Sequence, residues 1–237
     1  MFIRVVLFAL VFFLAGCTSD PELKLSLALS KIIQAPKNFD PSLISNNWII
    51  NSNNTPRDWA IIGAPYDPKI RLSSNKESFK LLKKVNSNIL VTPFLTWSWK
   101  IERTKLTQHP IQIIVGLKSS QLESKSPFNN FDRNSIKGLP SHDRQIIFVW
   151  GSSALVPKSI IHPPPTSNTV KQAVYVIRSG KTGSNEWNTE AVDLERISYL
   201  VWPLLNNKRA KVVFFGVSVA GSEKIEVGYV KNLRLSH

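Results

Sequence analysis

The stretch Pro93-Phe94-Leu95-Thr96-Trp97-Ser98-Trp99-Lys100-Ile101-Glu102 decides the fold class. Leu95, Trp97, Trp99 and Ile101 alternate with Thr96, Ser98, Lys100 and Glu102, which is the period of a strand with one face in a core and the other toward water. Tryptophans at alternate strand positions are core side chains far more often than ligand platforms, and here they share their face with Leu95 and Ile101.

Working outward, the same kind of signal recurs on both sides. Upstream, Trp48–Ile50, Trp59–Ile62, Lys69–Leu72 and Ser78–Leu82 read as short strands separated by turn residues such as Asn51-Ser52-Asn53-Asn54-Thr55-Pro56. Downstream, Ile111–Leu117 is a near-continuous apolar run of core-strand length, and Arg144–Gly151 ends in Phe148-Val149-Trp150-Gly151. Ala173–Arg178 is a strand closed by the turn Ser179-Gly180-Lys181-Thr182-Gly183-Ser184, and Trp187–Val192 is another. Val212–Val219 and Ile225–Leu235 finish the chain, with Ala220-Gly221-Ser222-Glu223 between them reading as a hairpin turn. One helix interrupts the strands: Leu194, Ile197, Leu200, Val201 and Leu204 recur at helical spacing behind Asp193 as N-cap. About ten short strands, long connections and one helix predict an all-β fold, a β-sandwich of jelly-roll type, with a barrel as the alternative.

Two connections stand apart. Lys118–Asp143 is long for a compact domain and rich in Ser, Asn and Pro, with Phe128 and Phe131 expected to fold back onto the core. His162-Pro163-Pro164-Pro165-Thr166 excludes a central strand and reads as a stiff crossing. No internal repeat of fixed period is present.

The N-terminus gives an address. Arg4 is followed by the apolar run Val5–Leu14 and then by Leu14-Ala15-Gly16-Cys17, the layout of an export signal with its cleavage site. It resembles the lipobox of bacterial lipoproteins. That resemblance implies removal of residues 1–16 and acylation of Cys17. From Thr18 to Asn38 the chain lacks aromatics and reads as a tether, 17–38 with the cysteine, ahead of a β-sandwich domain over 39–237. A plain transmembrane anchor is the alternative, but the run is about half the ~20 residues that a spanning helix needs. Thr18, where an Asp resembles the inner-membrane retention signal of enteric lipoproteins, points to the periplasmic face of the outer membrane if the cell has two membranes. Cys17 is the only cysteine, so its acylation leaves no thiol for a disulfide, a nucleophile or a zinc site.

The formal net charge is +14, and cleavage of the signal removes Arg4 alone. Such a balance attracts polyanions. Behind an export signal those are anionic glycans or lipid surfaces, with the membrane reached through Cys17, and nucleic acid is not expected. A cation-rich solvated surface without a partner is the plain alternative.

Four motifs in order carry a second resemblance: Leu95-Thr96-Trp97-Ser98-Trp99-Lys100, Phe148-Val149-Trp150-Gly151, Val176-Ile177-Arg178-Ser179-Gly180 and Trp187-Asn188-Thr189-Glu190-Ala191-Val192-Asp193. Their set resembles a family of exported bacterial proteins defined only as a domain of unknown function, over about Trp59 to Leu235. The resemblance implies a fold and no activity. The chain departs from it at Gln108-His109-Pro110, where paired aspartates are frequent, and at Ser218-Val219-Ala220-Gly221, where an Asp-x-Asp pattern is usual.

The chemistries test thinly. His109, His142, His162 and His237 lie far apart without metal-ligand spacing, so no metal and no cofactor is expected. Gly216-Val217-Ser218-Val219-Ala220 lacks the second glycine of a nucleophile elbow. Glu190, Asp193 and Glu195 are the nearest approach to the paired carboxylates of a glycosidase, and a helix cap with surface charges explains them more simply. The ligand-binding candidates are therefore Trp187, Glu190, Asp193, Arg178 and Trp150, with no catalytic residue assigned. The expectation is a lipid-anchored, non-catalytic binding or structural module of the envelope. Its rival is a carbohydrate-active hydrolase or deacetylase with a site assembled from scattered Asp, Glu and His.

Overall fold

The computed structural model describes residues 48–51, 59–63, 67, 69–102, 108–119, 136, 138–163, 170–203 and 210–237. The lipobox with Cys17, the tether, Phe128 and Phe131 lie outside them.

Twelve strands and one helix make up the described chain: β1 (Trp48–Asn51), β2 (Trp59–Ile62), β3 (Lys69–Ser73), β4 (Phe79–Asn88), β5 (Phe94–Ile101), β6 (Ile111–Lys118), β7 (Arg144–Gly151), β8 (Ile160–Ile161), β9 (Lys171–Ser179), β10 (Asn188–Asp193), α1 (Leu194–Val201), β11 (Lys211–Val219) and β12 (Val227–Ser236). A seven-stranded sheet runs β1-β4-β11-β6-β7-β9-β8 and a five-stranded sheet runs β10-β5-β12-β3-β2. The pairs are antiparallel except β7 with β9, which run parallel. The fold is a β-sandwich of jelly-roll type, as the alternation in β5 implies.

Its core joins the inner faces of the two sheets. Leu95, Trp97, Trp99 and Ile101 of β5 meet Ile146, Phe148 and Trp150 of β7 and Phe215 and Val217 of β11. The rings interlock: Trp97 lies 5.6 Å from Phe148, Trp99 lies 5.5 Å from Trp150, and Trp97 meets Trp99 edge-on at 5.7 Å. Three enclosed indoles each remove about 4–6 kcal/mol of apolar surface from water before chain entropy is subtracted.

The seven-stranded sheet is buried on its outer face as well. Ile49, Leu82, Ile114, Val213 and Phe214 form a second apolar cluster there, and Ile136 and Leu139, from the end of the long connection after β6, lie across it. That connection is tied at its base by Asp143, which accepts from the backbone N–H of Ser119 at 2.9 Å and from its hydroxyl at 2.8 Å. Two-sided burial explains the continuous apolar runs of β6 and β11, which a half-buried strand would not carry. A bulge between Val212 and Phe214 puts both Val213 and Phe214 on the outer side, and Gly116 leaves the space for the Phe214 ring.

Three expectations change. β11 and β12 are not a hairpin: β11 pairs with β4 and β6, β12 with β3 and β5, so residues 220–226 cross from one sheet to the other. Turn chemistry states where the chain bends and leaves open which sheet it joins next. β4 runs ten residues where a short strand was expected, and α1 ends at Val201, before the helical spacing does at Leu204. Among the described residues no helix is long and apolar enough to cross a membrane.

Candidate functional site

At one edge of the sandwich β9, from the larger sheet, comes beside β10, the edge strand of the smaller one. The parallel register of β7 and β9 slips between Val149 and Trp150, so Arg178 stands opposite Trp150 and its side chain is aimed into the space between the sheets. Its guanidinium carbon sits 5.7 Å from the centre of the Trp150 ring. On β10, Glu190 stands opposite Trp97, and directly opposed residues of an antiparallel pair share a face, so Glu190 also points inward.

There the two meet. Arg178 Nε donates to Glu190 Oε1, and Trp99 Nε1 donates to the same oxygen at 3.0 Å. Both donors use Oε1, and neither uses Oε2. The Glu190 side chain keeps 13% of its surface exposed and that of Arg178 32%, so water reaches the pair from the open edge. The turn above it is anchored at both ends: Trp150 Nε1 donates to the carbonyl of Gly180 at 2.9 Å, and Asn188 Nδ2 donates to the carbonyls of Gly183 at 2.7 Å and Glu186 at 2.9 Å. Gly183, at φ +76°, supplies the left-handed bend this requires.

The other candidates fall elsewhere. Trp187 is 38% exposed and precedes β10, which begins at Asn188, one residue later than expected. Lys231 Nζ stands 4.5 Å and Lys69 Nζ 5.9 Å from its ring centre, and Asp67 accepts from Lys231 at 2.8 Å and pairs with Lys69 at 3.6 Å. The hydrogen bond from Lys231 holds the Asp67 carboxyl below the ordinary carboxylate value. Asp193 caps α1, its Oδ1 accepting from the Arg196 N–H at 2.9 Å. Trp150 is fully enclosed and offers no face to a ligand.

The histidines and acids do not converge: among the described residues no three His, Cys, Asp or Glu side chains come together in a group fit to hold a metal. His109 is buried, accepts at Nδ1 from the Ile111 N–H at 3.2 Å, and faces Glu226 across 3.5 Å. His142 donates from Nδ1 to the Pro140 carbonyl and stands edge-on to Phe214. Sequence reading missed the Trp99 donor, the Asp67–Lys231 pair and the contact of Glu226 with His109.

No family model and no curated protein matches the chain. Solved structures do share its fold. The catalytic domain of Humicola grisea Cel12A superposes with a TM-score of 0.48 at 8% identity, over 75% of this chain and 84% of that one. The family 12 xyloglucanase from Bacillus licheniformis gives 0.43 at 8% identity, over 84% and 89%. The xyloglucanase domain of NopAA from Sinorhizobium fredii gives 0.42 at 10% identity, over 75% and 92%. The expectation of a non-catalytic module that is not an enzyme is corrected by these findings, since the structures this chain resembles are glycoside hydrolases. At such scores their activity and site residues do not transfer, so the carbohydrate-active alternative has to stand on the geometry of this chain.

Proposed function

We propose that the protein is a carbohydrate-active hydrolase of the bacterial envelope, exported and lipid-anchored through Cys17, and that Glu190 is the carboxylate that does its chemistry. The observation that carries this is the state of Glu190. It is a single carboxylate at the open rim of the sandwich, on an edge strand, held by Trp99 and Arg178 through one oxygen, with the other oxygen outside both contacts. An acceptor oxygen fixed this way can take a proton from a water or a sugar hydroxyl, the role of a general base. The rings of Trp99 and Trp150 behind it lower the local dielectric and hold it still, and fixed placement is what such a group needs to act. Among the described residues no second carboxylate shares its hydrogen bonds, so Glu190 is assigned this one role. Cys17, Thr18 and the apolar run before them support the address.

The test is digestion of a panel of polysaccharides by the purified chain, read as new reducing ends or released acetate. The wild type is expected to release product from at least one polymer, and Glu190→Gln to lower that rate by about 100-fold or more. A Glu190→Gln protein as active as the wild type, or a wild type that binds glycans and never cleaves them, overturns the proposal.

A further inference from the structure

The two sheets differ on their outer faces. That of the larger sheet is plugged by the Ile49–Phe214 cluster, whereas that of the smaller sheet carries polar and basic side chains in register. Lys100, Tyr229 and Arg71 stand side by side across β5, β12 and β3. Next to them Thr189, Ser98 and Lys231 form a row across β10, β5 and β12, with the Ser98 and Thr189 hydroxyls 2.9 Å apart. A third row pairs Thr96 with Arg234, whose Nε donates to the threonine hydroxyl at 3.2 Å. Asn232, at φ +55°, absorbs the register shift in β12 so that Lys231 and Arg234 both point outward while Leu233 turns in. Trp187, at the β10 end of this face, adds the one exposed indole, beside Lys231 and Lys69.

We infer that this face binds the substrate and that the substrate class is an acidic glycan, one bearing carboxylate groups along its chain. The inference rests on the proposed hydrolase and names what it acts on. Charge complementarity carries it. The face presents Lys69, Arg71, Lys100, Lys231 and Arg234, and its acids are engaged: Asp67 with Lys231 and Lys69, Glu102 with the Tyr229 hydroxyl at 3.2 Å, Asp193 with the helix cap. Among the described residues Arg71 and Lys100 form no ion pair, so they meet an incoming anion without first giving up a partner. Hydroxyls between the cations and an exposed indole at the end match a sugar chain better than a lipid surface. Trp187 stands three residues before Glu190, immediately ahead of the edge strand β10, so a chain laid on this face reaches the edge where Glu190 opens.

The test reads binding in the Glu190→Gln protein, so cleavage is not required. Polygalacturonate, neutral cellohexaose and vesicles of phosphatidylglycerol in phosphatidylcholine are titrated in turn. Polygalacturonate is expected to bind, and more weakly as salt rises. Cellohexaose and vesicles are expected to bind at least about tenfold more weakly. Arg71→Gln with Lys100→Gln, in a protein whose melting temperature is unchanged, is expected to weaken polygalacturonate about tenfold or more, and Trp187→Ala to weaken it separately. Equal affinity for the neutral and acidic chains, preference for the vesicles, or an unaffected double variant overturns the inference. None of these touches the digestion assay, where the hydrolase reading stands or falls by itself.

Discussion

Gly216 and His142 show how far single side chains are committed. At Gly216 a Cβ would run into the backbone carbonyl of Leu81 on the neighbouring strand, and no side chain is there to give way. Gly216→Ala is expected to cost about 3 kcal/mol or more, read as a lowered denaturant midpoint with an unchanged slope. A cost near zero contradicts the tight β4–β11 approach. His142 is buried against Phe214, and burial pulls its pKa below the ordinary histidine value, with Lys80 adding to the effect and the Pro140 carbonyl and Asp143 opposing it. The folded state thus holds it neutral while the unfolded chain binds the proton. Its stabilising contribution is fully present above about pH 6.5 and is lost as pH falls through the depressed folded value. Melting temperatures taken from about pH 7.5 downward are expected to fall less steeply in His142→Phe than in the wild type. Equal slopes would remove His142 from the acid sensitivity.

At the scale of elements, β10 and α1 turn on the residue that joins them. Asp193 ends the strand opposite Phe94 and begins the helix by capping it, so it belongs to the scaffold and not to the site. Asp193→Ala is expected to destabilise the fold by about 1 kcal/mol by thermal melting and to leave glycan cleavage at the wild-type rate. A large loss of activity at unchanged stability would return Asp193 to the site. The strands themselves were legible from period and run length: alternation in β5 and the apolar run of β7 locate both to within a residue or two. What periodicity did not carry was sheet membership. The continuous apolar run of β11 signalled burial on two sides, and reading it that way would have separated it from the alternating β12. In the same way Arg178 reaches Glu190 only because of a register slip, which no spacing along one strand records.

For the whole molecule, the asymmetry of the two sheets gives the organisation: a larger sheet sealed on both sides holds a smaller one whose outer face stays open and basic. The proposed acyl anchor on Cys17 bears on where that face works. Cys17→Ser is expected to move the protein from the membrane fraction to the soluble fraction, and unchanged fractionation contradicts the acyl anchor. Strand pattern and aromatic content pointed to a β-sandwich, but they could not show which of seven tryptophans would face solvent or which acid would stand at the sandwich edge. Those depend on pairings between residues far apart in the chain. The most direct measurement of the central claim is a crystal structure of Glu190→Gln soaked with the oligosaccharides that the wild type releases. A sugar ring within hydrogen-bond distance of the residue 190 side chain, at the edge between β9 and β10, is the expected result. Sugar bound elsewhere, with residue 190 touching only Arg178 and Trp99, would mean that the pair merely staples the two sheets together.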